Sequence, residues 1–356
     1  QGLDVIIIDR EIPGLGSTAA STSMLLWEID RPLSTLAEVY GFDRAAQAYR
    51  ASFDAVRGLT ALVHSLGIAC ELREKDSLYL AAGSAAGSLL DEHRMRQRAG
   101  LPGEFLDHGR LHDAFGVQRA GAIVSPGAAD SDPLQLSRGL LHVAAARGAR
   151  LFDGEATVFD ASERSTIVGL KNGREIEAKS VVLATGYVMP DIVCSNVHRV
   201  SSSWAIATVP QPENIWRNGA LIWEDAEHYQ YARTTRAGRI IIGGEDSDEI
   251  VEPVARDRLI PEKSAVLRQK LAALWPRAET GMEFRWAGTF DTTSDGLPLI
   301  GPVPGHRGIH AAYGYGGNGI TFSFLAAQLL GDLIAGGGAP LLDDFALDRD
   351  AVPMPA

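Results

Sequence analysis

Residues 308–333 read "GIHAAYGYGGNGITFSFLAAQLLGDL" and carry the strongest structural signal in the chain. A short apolar run, a glycine-rich turn and an apolar stretch follow one another, which predicts a strand, a turn and a final helix over 320–335. Glycines leave the turn without side chains, and the first amides of a helix have no partner within it. The turn therefore predicts a cradle for an electron-rich ligand edge, such as the N1–C2=O side of a reduced flavin. The alternative is a flexible loop that only caps the helix.

The N-terminal stretch "VIIIDRE" (residues 5–11) has the composition of a strand buried on both faces, as in parallel sheets. Asp9 ends this strand, where an acid of a dinucleotide-binding fold hydrogen-bonds the ribose. Such an acid follows the glycine fingerprint by about 20 residues, which would place the fingerprint before Gln1. We therefore expect the native chain to extend upstream of Gln1, and a disordered phosphate loop would leave the cofactor site empty. The alternative is that Asp9 merely ends a strand.

Two further glycine-containing segments suggest close approach of the backbone to a ligand. "GLGSTA" (residues 14–19) matches G-x-G-x-x-A, but charged residues and Pro13 separate it from the strand. We interpret it as a loop and helix start rich in small residues that meet an anion or a ring. "VVLATGY" (residues 181–187) predicts a buried strand ending at Gly186, where backbone can approach a cofactor. Its alternative is an ordinary strand-to-loop turn.

Composition excludes several classes of protein. At 356 residues and 46% hydrophobic, the chain can bury a large core, and its length suggests two domains. A net charge of -12 argues against a nucleic-acid partner. Cys70 and Cys194 form no disulfide framework and no signal peptide is recognised, so a cytoplasmic location is expected. Polar residues interrupt the apolar tail, so no membrane span is expected, and His108 and His112 lack the acid of a metal motif.

The order of patterns predicts a discontinuous domain. Helices are expected over 43–66, near 84–99 and from Pro133, whereas 200–286 has the long alternating segments of an antiparallel sheet. Strand and helix patterns of α/β type occur at the beginning, middle and end of the chain. We predict a nucleotide domain formed by 1–48, 129–198 and 287–356, and a substrate domain formed by 49–128 and 199–286.

The segment 286–333, "WAGTFDTTSDGLPLIGPVPGHRGIHAAYGYGGNGITFSFLAAQLLGDL", resembles the C-terminal signature of the D-amino-acid-oxidase-type family of flavoproteins. This family includes glycine oxidase, sarcosine oxidase and D-amino acid dehydrogenase. The segments "IIIDRE", "GSTAASTSML", "DSDPLQLSRGLLHVAAARGARLF", "VVLATGY" and "GRIIIGGEDSD" occur in the family's order, so the likeness covers nearly the whole chain. It implies an α/β (α+β overall) architecture: a glutathione-reductase-type FAD-binding domain with a parallel sheet beside a mixed or antiparallel substrate-domain sheet.

The resemblance also implies which residues bind FAD. The turn residues Gly317, Asn318 and Gly319 would stabilise the anionic reduced ring and so take the catalytic, electrostatic role. No cysteine lies near Thr289 to Thr293 for a covalent flavin link, so FAD is expected to be non-covalent. The implied cofactor-binding residues are Asp9, Arg10, Gly16, Ser17, Thr18, Ser21, Thr22, Val158, Ala184, Thr185, Gly186, Gly316, Gly317, Asn318, Gly319, Ile320 and Thr321.

The substrate side departs from the family pattern. Amino-acid oxidases of the family carry an arginine after the W-x-G segment to clamp a carboxylate, whereas this chain has Thr289 and Phe290. Arg233 or Arg285 could replace that clamp, or could instead form an interdomain or surface ion pair. Aromatic residues could wall the substrate site or belong to the core. The candidate substrate-binding residues are Tyr231, Arg233, Trp286 and Thr289.

The predicted function is FAD-dependent oxidation of a C–N bond in an amine or amino acid to an imine, by hydride transfer to flavin N5. The partners would be that small substrate and an acceptor, either oxygen or a quinone-linked chain; a homo-oligomer is compatible with the sequence. Two alternatives remain. The same fold could dehydrogenate a 2-hydroxy acid or polyol phosphate with a histidine base, or the chain could be a non-catalytic remnant lacking its phosphate loop.

Overall fold

The computed structural model describes residues 2–83, 86–226 and 229–350. Its helices are α1 (Ser17–Ala20), α2 (Leu33–Tyr40), α3 (Phe42–Leu66), α4 (Gly87–Arg98), α5 (His108–Phe115), α6 (Pro133–Ala146), α7 (Pro253–Arg258), α8 (Ile260–Leu274) and α9 (Gly319–Ile334). Its strands are β1 (Ile6–Asp9), β2 (Met24–Leu25), β3 (Arg73–Ala81), β4 (Glu104–Asp107), β5 (Gly121–Asp130), β6 (Arg150–Asp153), β7 (Ala156–Ala161), β8 (Thr166–Leu170), β9 (Glu175–Ala178), β10 (Val181–Leu183), β11 (His198–Thr208), β12 (Leu221–Asp225), β13 (Gln230–Thr234), β14 (Ile240–Ser247), β15 (Met282–Thr293), β16 (Leu299–Pro302) and β17 (Ile309–Tyr313).

One large mixed sheet contains the aromatic, alternating segments. Its strands follow the order β15–β11–β14–β13–β12–β3–β5–β2, with β4 beside β5. Neighbours are mostly antiparallel, but β12 and β3 run parallel. Indole rings of Trp204, Trp216 and Trp275 pack with aliphatic residues of α8 in the core of this sheet. The predicted mixed or antiparallel substrate-domain sheet is therefore confirmed.

The α/β segments form smaller sheets. Strand β1 pairs in parallel with β6, and β10 pairs in parallel with β17, which also carries antiparallel β16. A separate meander, β7–β8–β9, contains a hairpin, and its Gly173 adopts a φ of 80° in the turn after Asn172. The predicted parallel strands of the nucleotide domain are thus present.

Helix ends follow the local chemistry of the sequence. The long helix α3 ends at Gly67, whose φ of 64° supplies a left-handed cap. The Asp132 carboxylate accepts a hydrogen bond from the Gln135 amide at 2.8 Å, and Pro133 opens α6. The final helix begins at Gly319, one residue before the predicted start. Helices α3 and α9 share a core with Trp27 and Tyr49, which fixes α9 beside the segment that follows β2.

Sheet pairing does not follow the predicted domain boundaries strictly. Strand β15 pairs with β11 from Met282 to Thr293, so the large sheet continues past residue 287. The short β2 also joins this sheet, through β5. The domain boundaries remain a prediction. Residues 1, 84–85, 227–228 and 351–356 belong to the predicted domains or helices but lie outside the described residues. Across the described ranges, every helix is too short or too polar to cross a membrane.

Candidate active site

The N-terminus of α9 is joined by hydrogen bonds to the extended segment after β2. Every second residue of that segment offers an acceptor to the start of α9, because successive residues of an extended chain point to opposite sides. The Thr321 hydroxyl donates to Leu26 O at 2.8 Å, and the Asn318 side-chain amide donates to Glu28 O at 2.7 Å. The Gly317 backbone amide donates to Asp30 Oδ2 at 2.7 Å. We call this set the α9 junction: Leu26, Glu28, Asp30, Gly317, Asn318 and Thr321.

The side chains of Asn318 and Thr321 have a structural role in the junction. Both residues are buried, at 2% and 1% exposure, and both side chains bond to the backbone of the 26–30 segment. The amides of Gly319, Ile320 and Thr321 lie in the first turn of α9, which directly follows a 3-10 turn at Gly316–Asn318. The first amides of an α-helix lack the usual partner four residues earlier in that helix. A Cβ built on Gly319 would meet no atom within 4 Å, so open space lies beside these amides. This end of α9 therefore fits the electron-rich edge of a flavin ring.

The glycines at 316 and 317 have a different cause from the predicted one. Gly316 adopts a φ of 59°, and a Cβ there would lie 2.1 Å from Asp30 Oδ2. A Cβ on Gly317 would lie 2.9 Å from Asp30 Oδ1. The turn is free of side chains here because the Asp30 carboxylate packs against it. The Gly317 amide is therefore occupied by a protein acceptor.

Asp30 is an unusual carboxylate. Its side chain is solvent-accessible, yet the surrounding protein removes enough hydration to raise its pKa to about 6. The hydrogen bond from Gly317 opposes this rise, the charge of Asp246 adds to it, and the charge of Arg31 opposes it. A carboxyl group with this pKa changes charge close to neutral pH.

The predicted adenosine end lies at the ends of β1 and β6. Asp9 is the last residue of β1, and its Oδ1 accepts a hydrogen bond from the Glu11 amide at 3.0 Å. Arg10 is exposed and lies 3.7 Å from Glu155. Val158, on β7, is 58% exposed. These residues form an open face that leaves space for a ligand.

The predicted pyrophosphate residues are also open. Gly16 caps α1, with no atom within 4 Å of a Cβ built on it, and Ser17 is exposed. Ala184, Thr185 and Gly186 directly follow β10 and are exposed. Because β10 and β17 run parallel, the 184–186 turn and the turn before α9 leave the same edge of their sheet. The structure therefore brings these two predicted cofactor segments to one edge.

Two predicted substrate residues contact the loop after α1. The Trp286 indole donates to Ala20 O at 2.8 Å. The Tyr231 phenol lies near the Thr22 side chain. Burial raises the pKa of Tyr231, and the Thr22 contact lowers it by less. Tyr231 opposes Gly243 across β13 and β14. A Cβ on Gly243 would lie 2.3 Å from the phenol oxygen, so glycine is required to accommodate this ring.

Arg233 forms a buried ion pair with Asp130 of β5, a strand of the same sheet. Its guanidinium lies 3.6 Å from the fully buried Asp130, and its Nε donates to Thr22 O. Burial lowers the pKa of Arg233, while the Asp130 charge opposes that effect. Asp130 also binds Arg73 in a bidentate pair. Arg233 thus holds the Thr22 loop against β13, with its donors directed at protein acceptors.

Thr289 is not brought together with Trp286. Its hydroxyl accepts a hydrogen bond from Arg256 Nη1 at 2.6 Å, on the α7 side of β15. Residues of a strand alternate between faces, so Trp286 and Gly288 face Ala20 whereas Thr289 faces away. Arg285, the other predicted carboxylate clamp, is exposed.

Sequence reasoning missed a buried ionic cluster behind the junction. Arg96, at 1% exposure, lies 2.7 Å from Glu92 and 3.7 Å from Glu28. Glu92 also accepts the Leu33 and Ser34 amides, at 3.0 Å and 2.8 Å, at the start of α2. Burial opposes the charge on Arg96, but Tyr49, Glu92 and Glu28 raise its pKa overall. The alternating "WEID" of residues 27–30 was the available signal, because it places two acids on one side of extended chain.

Comparisons with known proteins agree with this architecture. Residues 1–333 match the family model described as FAD dependent oxidoreductase. The chain is 23% identical to gamma-glutamylputrescine oxidoreductase of Escherichia coli, over 97% of this chain and 81% of that protein. It is 25% identical to D-amino acid dehydrogenase of Rhizobium johnstonii, over 92% and 80%.

Solved structures show the same fold. The crystal structure of glycine oxidase from Geobacillus kaustophilus superposes with a TM-score of 0.80 at 23% identity, over 98% of this chain and 92% of that one. The predicted fold class and resemblance are both confirmed, and use of FAD follows from the family model. This chain is a member of the FAD-dependent oxidoreductase family.

Proposed function

We propose that the protein oxidises a C–N bond of an amine or amino acid to an imine. Bound FAD supplies the chemistry itself, acceptance at flavin N5 of a hydride from the carbon next to nitrogen. The two similar curated proteins are named for a putrescine derivative and for D-amino acids, and both substrate types contain such a C–N bond. The family sets the oxidoreductase class, and the substrate bond is our proposal.

The observation that carries the proposal is the open first turn of α9. Amides of Gly319, Ile320 and Thr321 would hold the pyrimidine side of the flavin, where negative charge develops on reduction. The junction fixes these donors before any ligand arrives, because Asn318 and Thr321 are buried and hydrogen-bonded. Preorganised donors of this kind act without a reorganisation cost.

The remaining predicted residues would hold the rest of the cofactor. Asp9 would bind the ribose, with Arg10 and the backbone of Val158 near the adenine. The small residues of 16–22 and the 184–186 turn would line the pyrophosphate. Tyr231 and Trp286 would border the substrate, because both contact the loop after α1.

The test uses FAD-loaded protein under anaerobic conditions. Primary and secondary amines, amino acids, 2-hydroxy acids and a polyol phosphate are added separately, and loss of the oxidised-flavin colour is recorded with release of ammonia or amine. We expect loss of colour with a C–N donor and release of the nitrogen product. Loss of colour only with hydroxy acids or polyol phosphates would contradict the proposal, and protein that FAD cannot colour would contradict a flavoenzyme.

A further inference from the structure

Two carboxylates and two phenols lie together where the large sheet meets the α9 junction. We call them the Asp–Tyr group and define it as Asp30, Tyr229, Tyr231 and Asp246. The Tyr229 hydroxyl donates to Asp246 Oδ2 at 2.6 Å, and the two tyrosine rings lie 6.2 Å apart. Asp246 is close enough to Asp30 for the two charges to interact. None of these residues except Tyr231 was predicted to bind substrate.

Asp246 has an acceptor atom without a donor. Its Oδ1 is shielded from solvent and has no hydrogen-bond partner among the described residues. The Ser203 hydroxyl lies near enough to lower the pKa of Asp246, but burial raises that pKa by more, and Ser203 does not reach hydrogen-bond geometry. A buried acceptor is normally paired, because leaving it unpaired costs free energy. Within residues 2–83, 86–226 and 229–350, Asp246 Oδ1 therefore retains the capacity to accept one further donor.

The charge around this acceptor is negative. The charges of Asp248 and Glu245 raise the pKa of Asp246. The charge of Asp246 in turn raises the pKa of Asp30. Glu245 is neutralised by Lys263 and Lys270, at 3.4 Å and 2.6 Å. Arg31 acts on Asp30, and Arg233, two residues from Tyr231 on β13, is paired with Asp130. A carboxylate substrate would meet repulsion here, whereas an ammonium group would be attracted.

Aromatic rings complete the environment. Tyr229 and Tyr231 are only partly exposed. The Tyr229 hydroxyl contacts the Asp246 carboxylate, and the Tyr231 ring lies next to that of Tyr229. A cation next to such rings gains from the negative face of the π system. Carboxylates with adjacent tyrosines offer both charge-assisted hydrogen bonds and ring contact to one ammonium ion.

From this arrangement we infer that the Asp–Tyr group binds an ammonium group distant from the C–N bond that is oxidised. The preferred substrate class is then a diamine or polyamine without a free α-carboxylate. This inference rests on the proposed function, since it names the substrate of the same site. It also accounts for Thr289 and Phe290 standing where amino-acid oxidases of the family carry a carboxylate clamp.

The first test compares butane-1,4-diamine, butan-1-amine and 4-aminobutanoate as substrates of FAD-loaded protein. We expect kcat/KM for the diamine to exceed that for the monoamine by at least about tenfold, as one charge-assisted hydrogen bond is worth that factor. 4-Aminobutanoate should be the poorest of the three. Equal values for diamine and monoamine, or preference for the carboxylate compound, would overturn the inference.

Variants separate charge from folding. Asp246→Asn and Asp30→Asn should each reduce the diamine-to-monoamine ratio, and the side chain introduced by Asp30→Asn retains an oxygen that can accept the Gly317 amide. The matched control is Asp225→Asn, because Asp225 accepts the Tyr79 hydroxyl at 2.8 Å in a similar Asp–Tyr pair elsewhere in the same sheet. The ratio should be unchanged in the control. A ratio that survives both site variants contradicts the inference.

A binding measurement distinguishes this failure from failure of the proposed function. tert-Butylammonium carries N–H donors but no hydrogen on the carbon next to nitrogen, so it cannot be oxidised there. It is titrated calorimetrically into the wild type and Asp246→Asn. Binding that is lost in Asp246→Asn, together with flavin reduction only by hydroxy acids, would retain a cation site and reject C–N oxidation. Amine oxidation with no binding of the probe and no diamine preference would reject the cation site alone.

Discussion

The two ends of the candidate cofactor site are built differently. At the α9 junction, buried side chains and backbone groups pair with one another, and Asn318 and Thr321 are almost completely enclosed. At the adenosine end, Val158 is 58% exposed and Phe152 on β6 is 48% exposed. Other exposed large apolar side chains of the described residues include Leu3, Val5, Ile12, Leu15, Leu151, Val182 and Val188.

Protein hydrogen bonds hold the residues of the junction in place, whereas Val158 and Phe152 of the adenosine end are exposed. The three hydrogen bonds of the junction are made between protein groups, so the proposed flavin end is preorganised. Strands of parallel sheets are usually buried on both faces, yet β6 is exposed along its length. Changes at the junction should therefore affect stability and FAD binding together, whereas changes at the adenosine end should affect mainly FAD binding.

The largest effect is expected from Arg96→Met. The substitution leaves the buried carboxylates of Glu28 and Glu92 without their cation, which typically costs about 3–5 kcal/mol. We expect that loss in the free energy of unfolding, measured by urea denaturation. The double variant Arg96→Met/Glu28→Gln should recover part of it. A loss below about 1 kcal/mol for Arg96→Met would show that the cluster does not support the junction.

The next effect compares two glycines with similar backbone conformation. Gly316 and Gly186 have φ values of 59° and 65°, so alanine is strained at both. Only at Gly316 would the new Cβ collide with Asp30, while Gly186 has open space. We expect Gly316→Ala to be less stable than Gly186→Ala by at least about 1 kcal/mol, the lower range for overpacking. Equal melting temperatures would contradict the close packing of Asp30 on the turn.

A smaller effect is expected from one hydroxyl at each end. Thr321→Val removes the donor to Leu26 O and should cost about 1 kcal/mol in unfolding free energy. Thr185→Val removes an exposed hydroxyl 3.2 Å from Met189 Sδ and should change stability by less than about 0.5 kcal/mol. Thermal unfolding without FAD measures both. Equal losses would remove the distinction between the two ends.

The smallest effect is a pH dependence from Asp30. Its pKa is raised in the folded state to about 6, so the folded protein binds more protons than the unfolded chain between about pH 4 and 6. Its contribution to stability therefore falls as pH rises through that window, because burial and then the Asp246 charge disfavour the ionised carboxylate more than the Gly317 hydrogen bond and Arg31 favour it. The difference in melting temperature between Asp30→Asn and the wild type should shift in favour of the variant on going from pH 4 to pH 7. A constant difference would show that Asp30 titrates normally.

Sequence patterns predicted the elements that have local causes. The end of the 43–66 helix, the helix that opens at Pro133 and the strand–turn–helix of the tail depend on neighbouring residues, and all three are present. The role of Gly316 could not be predicted, because its cause is Asp30, far away in the chain. The partners of Arg233 and Thr289 could not be predicted either, since strand pairing decides which face of the sheet each side chain occupies. The buried Arg96 cluster was missed because it joins Arg96 and Glu92 of α4 to Glu28, which is far away in the chain.

Hydrogen–deuterium exchange with and without FAD tests the central claim most directly. If the first turn of α9 holds the flavin, FAD should slow exchange at the amides of Gly319, Ile320 and Thr321 and in the 16–22 and 184–186 segments. The substrate-sheet strands β12 and β3 should exchange at the same rate in both samples. Protection that is absent from the first α9 turn while FAD is bound would contradict the account.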